Sequence, residues 1–405
     1  MEYKKLKSLY YIDKDLWKET YNKRINSESA YKFNIGLERE FFVIITSEIL
    51  DKVTEILKLD KTLFCIGNLL PKIALSKYTN LCIIEEIKGT NDIEGVKSTR
   101  QEIGKILNNI DKTKHKRLHG LIQKYLKLMS ENKDKIETIQ DIRDIYDEIV
   151  LDEVVQEDPE NKPDGSIFRK GIVRIQNSSG KFIHTGVVSE EEIIIAMNKV
   201  LEIINDKDIN PFIKIPVVHY LIGFIHPFYD GNGRLIRYIT SSQLSEELES
   251  IVGLKIAYVL KSNLATYLKI FIDTNIDINR GDLTMFVEKF LDFILIALKE
   301  TIEAMKEAYD KWRYYSGLLV NLNNDLNLNE KEDSIYNILI QNALFDTEGL
   351  DIITIREVCR FSDTYIRKVL KFGINNGFVI EKKVGRKFTY SLDLEEIDKK
   401  YSNTN

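Results

Sequence analysis

The sequence predicts a mainly α-helical protein with a β-hairpin in its central part and a small domain of helices and strands near its C-terminal end. Only 6 of the 405 residues are proline, so long stretches can continue as helices. Leu, Ile, Lys and Glu recur at spacings of three and four residues over most of the chain, which is the helical period. Short strand-like segments with turn residues between them occur near residues 171–188 and 378–392.

The helical period predicts three or four helices between residues 38 and 107, among them 41–57 and 73–87. The other predicted helices span residues 115–130, 136–151, 190–204, 216–225, 234–248, 263–273 and 282–308. Residues 157–165 contain two prolines and a glycine and are predicted to form a loop. Residues 171–175 and 181–188 flank Asn177-Ser178-Ser179-Gly180, which predicts a β-hairpin.

The C-terminal part follows a different pattern. Residues 354–359 predict a short helix, and Ser362 can cap a longer helix over 363–376. Strands are predicted at 378–383 and 387–392, so the order is that of a winged helix-turn-helix domain. Residues 356–387 contain nine basic and three acidic side chains, a local charge of +6, which leaves contact with DNA or with a protein open.

We therefore predict an N-terminal helical region over 1–110, a helical core over 111–308, a linker over 309–330 and the winged-helix domain over 331–405. The asparagine-rich residues 321–329 indicate either a linker or a broken helix end. The net charge of −5 gives no global reason to expect binding to nucleic acid. Cys65, Cys82 and Cys359 are scattered without a CxxC pair, which fits a reducing cytosol. The polar N-terminal start is unlike a signal peptide, and no apolar run is long enough to span a membrane. We expect a soluble, cytoplasmic protein, with homo-oligomer formation left open.

The most informative segment combines a histidine, a carboxylate, a glycine-rich turn and two arginines. It reads His226-Pro227-Phe228-Tyr229-Asp230-Gly231-Asn232-Gly233-Arg234-Leu235-Ile236-Arg237. A histidine can take the proton of an attacking hydroxyl near neutral pH. The Asp230 carboxylate is a suitable oxygen ligand for Mg²⁺, which commonly bridges the oxygens of a triphosphate.

The same segment also offers groups for phosphate. Gly231, Asn232 and Gly233 precede a predicted helix, so their backbone N–H groups can bind phosphate oxygens. Arg234 and Arg237 are three residues apart on that helix, and both can face one polyphosphate. The segment therefore predicts phosphoryl or nucleotidyl transfer that needs no covalent protein nucleophile.

At every fixed position this segment resembles the signature of the Fic family, His-x-Phe-x-Asp/Glu-Gly-Asn-Gly-Arg-x-x-Arg. The resemblance implies a Fic-type helical core with a β-hairpin flap, and transfer of AMP from ATP to a Tyr, Thr or Ser hydroxyl of a target protein. It makes His226 the base and Asp230 the ligand of Mg²⁺. The anion hole is then formed by Gly231, Asn232 and Gly233, and the phosphates are bound by Arg234 and Arg237. The 20 tyrosines also offer sites of self-modification.

Thr90-Asn91-Asp92-Ile93-Glu94-Gly95 resembles the family's inhibitory motif, Ser/Thr-x-x-x-Glu-Gly/Asn. Thr90 and Glu94 are four residues apart and would share one face of a helix. The resemblance implies that Glu94 pairs with Arg237, which takes the group that the γ-phosphate needs and leaves the α-phosphate misaligned. The alternative is an ordinary helix end, with Gly95 as the residue after the cap.

Five further residues bear on the site. His115 and His119 have the spacing of a metal-binding helix face, but no third ligand is evident, so we expect no metal there. His219 is expected to support the site by packing or hydrogen bonding. We expect His184, together with Arg174, to face solvent on the hairpin, although both could contact substrate.

Two classes of function remain. The first is an autoinhibited protein adenylyltransferase, of which removal of AMP by the same residues is a variant. The second is a DNA-binding regulator whose helical core senses a nucleotide. The complete set of acid–base, metal and phosphate groups favours the enzyme.

Overall fold

The structure, a computed structural model, describes residues 3–112, 117–131, 133–176, 182–345, 349–385 and 387–402. Helices dominate these residues, as predicted. The helices are α1 (Leu6–Ile12), α2 (Lys14–Ile25), α3 (Ser47–Leu69), α4 (Lys72–Ile93), α5 (Arg100–Leu107), α6 (His119–Lys127), α7 (Ile139–Tyr146), α8 (Asp152–Glu157), α9 (Glu190–Asn205), α10 (Pro211–Ile225), α11 (Asn232–Glu247), α12 (Ile256–Ser262), α13 (Leu264–Asn275), α14 (Thr284–Leu326), α15 (Glu330–Phe345), α16 (Ile352–Cys359), α17 (Asp363–Asn375) and α18 (Leu394–Tyr401).

The strands form two-stranded antiparallel sheets. They are β1 (Ala30–Phe33) with β2 (Phe41–Ile44), β3 (Arg174–Gln176) with β4 (Phe182–Thr185), and β5 (Val379–Val384) with β6 (Lys387–Leu392). The central hairpin therefore forms where the sequence predicted it, with a register shift between Ile175 and Gln176. Its predicted turn, residues 177–180, lies outside the described residues.

The predicted helix over 41–57 is wrong at its start. Residues Phe41–Ile44 form strand β2, and α3 begins only at Ser47. The segment Phe-Phe-Val-Ile is aromatic and β-branched and almost entirely buried, which suits a strand paired with Ala30–Phe33. A helical spacing cannot be distinguished from a buried strand over four apolar residues.

The predicted linker over 309–330 is also wrong for most of its length. Helix α14 continues without a break to Leu326, and the turn follows at Asn327, whose φ is +50°. The asparagine-rich segment therefore marks the end of a long helix. Similarly, α10 begins at Pro211 rather than Pro216, because Asn210 caps the helix and Pro211 occupies its first turn.

The chain divides into two compact units. The first comprises Met1–Lys61 and Asn80–Thr301, and the second comprises Thr62–Thr79 and Ile302–Asn405. Residues on both sides of the predicted boundary at position 110 belong to the first unit. The helices α10 and α11 lie inside it, since both are buried around nearly their whole circumference and pack against each other.

In the second unit, the end of α14, helices α15–α18 and the β5–β6 hairpin share one apolar core. This core includes Leu318, Tyr336, Ile366, Leu370 and Leu392. The order of α16, α17, β5 and β6 is the predicted order of helix, turn, helix and hairpin. Among the residues described above, no helix has the length and apolar character needed to cross a membrane.

Candidate active site

The connection between α10 and α11 carries the histidine and the glycine-rich turn. Helix α10 ends at Ile225, and His226 adopts the left-handed conformation with a φ of +55°. Gly231 has a φ of +77° and precedes the first residue of α11. A Cβ atom at this position would lie 2.9 Å from the Val150 side chain, so both the conformation and the space require glycine. The amino end of α11 therefore opens directly beside His226.

The Asn232 side chain closes this connection. Its Oδ1 accepts a hydrogen bond from the Phe228 N–H, and its Nδ2 donates to the Phe228 carbonyl, both at 2.9 Å. The Phe228 ring stacks on Tyr146 at 3.6 Å, and the Tyr146 hydroxyl donates to the Asp230 carbonyl at 3.1 Å. The Asn232 amide thus shapes the loop, which leaves only its backbone N–H for an anion.

His226 is in the protonation state that can accept a proton. Desolvation lowers its pKa to about 4, although the Gly223 carbonyl, 3.4 Å from Nδ1, works in the opposite direction. The imidazole is therefore neutral near pH 7. If Nδ1 carries the hydrogen and faces Gly223, the lone pair on Nε2 is free to take a proton.

Arg169 is a site residue that the sequence analysis missed. Its side chain is completely buried and donates to the carbonyls of His226 at 2.8 Å, Gly171 at 2.5 Å and Val187 at 2.9 Å. It thereby ties both ends of the hairpin segment to the end of α10. At Gly186, an added Cβ would lie 2.6 Å from the guanidinium of Arg169 and 3.0 Å from the Cβ of His226. Only its position after a polar loop could have drawn attention to Arg169.

Asp230 lies at the entrance of the turn and is half-buried. Its Oδ1 accepts a hydrogen bond from the Gly231 N–H at 2.6 Å. No cluster of three or more metal-ligating side chains is present within the described ranges. A single carboxylate is compatible with Mg²⁺, because this ion usually binds one or two carboxylates together with substrate phosphates.

Arg237 is held by the two residues of the upstream motif. Its Nε donates to Thr90 Oγ1 at 2.7 Å, and its Nη2 donates to the Thr90 carbonyl at 3.1 Å and to Glu94 Oε1 at 2.7 Å. Arg237 is 1% exposed and Thr90 is completely buried. Burial opposes the guanidinium charge, but the nearby Glu94 carboxylate outweighs it and raises the pKa of Arg237.

Glu94 also lies over the amino end of α11. A Cβ atom added to Gly233 would be 2.1 Å from Glu94 Oε1 and 3.0 Å from an Arg237 nitrogen. Gly233 therefore leaves the space that the carboxylate occupies. Glu94 itself lies one residue beyond the last residue of α4 and is followed by Gly95 with a φ of +75°. The motif is thus a helix end whose final carboxylate points at the predicted phosphate site.

Arg234 has a partner that the sequence did not predict. Its Nη1 donates to Glu153 Oε2 on α8 at 2.5 Å, and the Arg234 side chain is 2% exposed. Its Nε is buried and has no hydrogen-bond partner within the described residues. Buried donors are normally satisfied, so this orphaned N–H indicates a place for an anionic ligand.

His219 has the supporting role that we predicted. It is completely buried, with Nδ1 2.7 Å from Thr240 Oγ1 and Nε2 2.8 Å from the Tyr267 hydroxyl. Desolvation and the Arg237 charge lower the pKa of His219 to about 3, so the ring is neutral. Tyr267 also interacts with Arg237, which places His219 behind the arginine rather than at the reaction centre.

Glu86 anchors α4 one helical turn before Thr90 and on the same face as Thr90 and Glu94. The Glu86 carboxylate is completely buried and accepts hydrogen bonds from the backbone N–H groups of Ala257 at 2.9 Å and Tyr258 at 3.1 Å, at the start of α12. Burial raises its pKa to about 7. A Cβ atom added to Gly89 would lie 3.0 Å from the Tyr258 nitrogen, which explains how closely the two helices approach.

The predicted exposure is wrong for one residue of the hairpin and correct for another. His184 does not face solvent: its Nε2 lies 2.7 Å from the Phe224 carbonyl, and its ring packs on the Phe224 ring. Desolvation lowers its pKa. Arg174 is exposed, as expected.

His115 lies outside the described residues, so its predicted lack of a metal partner is not tested, and His119 begins α6.

Comparison with known proteins supports the resemblance found in the sequence. Residues 136–244 match the model of the Fic/DOC family. A search of curated protein sequences found no match. Among solved structures, a Fic family protein from Desulfovibrio desulfuricans G20 is similar, with 17% identity over 86% of this chain and 97% of that chain and a TM-score of 0.53. At this identity the likeness shows a shared fold alone.

Two further structures are similar over smaller parts of the chain. A Fic domain containing signaling protein from Bacteroides thetaiotaomicron VPI-5482 has 18% identity over 62% of this chain and 97% of that chain, with a TM-score of 0.45. Fic-1 (residues 134–508) from C. elegans has 18% identity over 64% of this chain and 74% of that chain, with a TM-score of 0.42. Residues 136–244 thus match the Fic/DOC family, and the chain shares the mainly helical fold of the Desulfovibrio desulfuricans protein.

Proposed function

We propose that the protein transfers AMP from ATP to a hydroxyl side chain of a protein and that Glu94 inhibits this transfer. The observation that carries the proposal is the neutral His226 beside the amino end of α11, with two buried arginines on the same helix. A base next to a polyphosphate site provides what in-line transfer to a hydroxyl requires. The buried, unpartnered Nε of Arg234 adds support, because a phosphate oxygen would satisfy it.

In the proposed reaction the hydroxyl oxygen of a Tyr, Thr or Ser attacks the α-phosphorus of ATP. The bond from this oxygen to the α-phosphorus forms while the bond from the α-phosphorus to the bridging oxygen breaks, and pyrophosphate leaves. His226 Nε2 takes the hydroxyl proton as the attack proceeds. The backbone N–H groups of Gly231, Asn232 and Gly233 bind phosphate oxygens at the helix amino end, together with Arg234 and Arg237. Asp230 would hold Mg²⁺, which neutralises phosphate charge when bound.

The β3–β4 hairpin is the part of the site that could hold a target protein. The hairpin is a two-stranded sheet, so its outer edges can pair with an extended segment of the target. Ile172 and Phe182 expose apolar side chains on this hairpin segment, at 58% and 56%. Arg169 holds the end of the hairpin next to α10 in place by donating to the carbonyls of His226 and Val187. A target strand added to the hairpin would therefore lie at a fixed distance from His226, the proposed catalytic base.

Glu94 supports the inhibitory part of the proposal. Its carboxylate bonds Arg237 and lies against Gly233, so it takes both the cation and the space that a correctly placed γ-phosphate needs. ATP that avoids this carboxylate would present a displaced α-phosphorus to the hydroxyl. A displacement of about 1 Å can reduce the rate by roughly 10²-fold.

Removal of AMP is a second candidate, favoured by the partial exposure of Glu94. The Glu94 side chain is 26% exposed although its partner Arg237 is buried. A carboxylate in this position could orient a water molecule towards a bound AMP group. The two candidates differ in the effect of Glu94→Gly, which should activate AMP transfer and abolish AMP removal.

The function is tested by labelling with ATP that carries ³²P on either the α- or the γ-phosphate. Transfer of AMP gives protein labelling only from α-labelled ATP, whereas a kinase labels only from γ-labelled ATP. In the Glu94→Gly background, His226→Ala should fold normally by circular dichroism and lose at least roughly 10²-fold of the labelling rate. Asp230→Ala, and addition of a chelator, should also suppress labelling. Labelling from γ-labelled ATP, or near-normal rates with His226→Ala, would exclude the proposed reaction.

A further inference from the structure

The second compact unit carries a helix-turn-helix whose second helix is exposed along one side. Helix α16 ends at Cys359, and Arg360 turns the chain in the left-handed conformation with a φ of +58°. Ser362 then caps α17 by accepting a hydrogen bond from the Tyr365 N–H at 3.3 Å. A three-residue turn between two helices is the connection that DNA-binding helix-turn-helix motifs use.

Helix α17 separates its apolar and basic residues onto opposite faces. The face formed by Ile366, Val369, Leu370 and Gly373 is buried in the core of the unit. The opposite face is exposed and contains five polar residues, which we call the α17 stripe: Thr364, Arg367, Lys368, Lys371 and Asn375. Its three cations form no salt bridge within the described residues, so their charge is available to a partner.

The β5–β6 hairpin adds cations beside this helix. Lys382, Lys383 and Lys387 are exposed, and Lys387 forms an ion pair with Asp351 at 2.8 Å. Lys382 pairs across the hairpin with Thr389, on the face opposite to the buried Val379 and Leu392 pair. Helix α17 contacts strand β5, and both elements expose cations; we call the α17 stripe together with the exposed lysines of the hairpin the basic surface of the unit.

We propose that this surface binds duplex DNA, with α17 in the major groove and the β5–β6 hairpin against the adjacent backbone. The major groove admits one α-helix, and Arg367, in the first half of α17, can donate two hydrogen bonds to a guanine. The positive charges of the lysines complement the negative charges of the phosphate backbone. A protein partner suits the surface less well, because lysine is depleted at the centres of protein interfaces.

The proposal is tested with the full-length protein, mixed-sequence fluorescent duplex DNA and fluorescence anisotropy at several salt concentrations. We expect binding that weakens steeply with salt, because released counterions drive it. Arg367→Glu with Lys371→Glu should weaken binding by about tenfold or more and reduce the salt dependence. The matched control is Lys306→Glu with Lys311→Glu, which reverses two exposed lysines on α14 in the same unit and should leave affinity unchanged.

Three outcomes would overturn the proposal. They are absence of binding by the wild-type protein at low salt, equal losses in the two double variants, and tighter binding to duplex RNA, whose deep, narrow major groove cannot admit α17. Circular dichroism is used to check that each variant is folded. The test is independent of AMP transfer, since His226→Ala should bind DNA as the wild type does.

Discussion

Replacement of Glu94 by glycine is the change that tests the proposed inhibition most directly. The substitution removes the charge-assisted hydrogen bond of 2.7 Å between Glu94 and the buried Arg237. It also clears the space above Gly233, where the carboxylate lies. Arg237 keeps both of its hydrogen bonds to Thr90, so the guanidinium should remain in place with one side free for the γ-phosphate.

The size of the effect follows from the contact that is lost. A hydrogen bond to a charged group is worth roughly 1.5–3 kcal/mol, which corresponds to roughly 10- to 150-fold in an equilibrium. We expect Glu94→Gly to raise the rate of self-labelling from α-labelled ATP within that range. The affinity for ATP should change less, because the amino end of α11 and Arg234 are available in both forms.

Two variants separate the charge of Glu94 from its other properties. Glu94→Gln keeps the size and one acceptor oxygen but removes the charge, so it should activate only partly. Asp92→Ala removes a neighbouring carboxylate that pairs with Lys88 rather than with Arg237, and it should leave labelling unchanged. The double variant of Glu94→Gly with His226→Ala should be inactive, because release of Arg237 cannot replace the base.

Labelling that stays flat or decreases in Glu94→Gly would refute this reasoning. A decrease would identify Glu94 as a working catalytic group, as removal of AMP requires. Equal activation by Asp92→Ala would show that a looser end of α4, rather than the Glu94 carboxylate, controls the rate.

Three further predictions concern the groups around Glu94, and each uses the activated Glu94→Gly protein. ADP should be a poor donor of AMP compared with ATP, and Arg237→Ala should narrow this difference in labelling rate, because Arg237 is proposed to bind the γ-phosphate. Since the pKa of His226 is about 4, kcat/KM should stay level between roughly pH 6 and 8 and decrease only near pH 4; a decrease centred at 6.5 would contradict the desolvated histidine. Arg169→Lys should lower kcat by roughly 10²-fold with little change in KM for ATP, because a lysine cannot contact the same carbonyls, whereas Arg174→Lys on the exposed hairpin should have no effect.

The sequence predicted the elements whose signals are local. Helix caps and the helical period place α9, α11 and α17 within a few residues of their observed bounds. The turn residues between two short apolar segments predicted both the β3–β4 and the β5–β6 hairpins. The contact of Glu94 with Arg237 spans 143 positions and was predicted from the resemblance of two short motifs to those of a known family.

The predictions that were wrong or missing concern features that local sequence signals do not determine. Strand β2 was predicted as helix because burial on both sides removes the alternation of a strand. The contact of Arg169 with His226 and the partners of Arg234 and Glu86 could not be predicted, since each partner lies far away in sequence and follows no motif. Such buried polar contacts depend on how helices pack, which the period of a sequence does not specify.

The arrangement of α4 indicates how the proposed inhibition could be relieved. Three contacts hold helix α4 in place before its end. Glu86 accepts hydrogen bonds from the start of α12, Gly89 lies close to the backbone of α12, and Thr90 accepts a hydrogen bond from Arg237. Glu94 lies beyond the last helical residue, and Gly95 has no neighbouring atom within 4 Å of where its Cβ would be. The turn at Glu94 and Gly95 therefore has space to change conformation while residues 80–93 stay docked, at the loss of the hydrogen bonds from its N–H groups to the Asn91 and Asp92 carbonyls. Undocking α4 would break the hydrogen bonds between the Glu86 carboxylate and the N–H groups of α12 together with the packing at Gly89, so a signal that moves only the turn requires the smaller free energy.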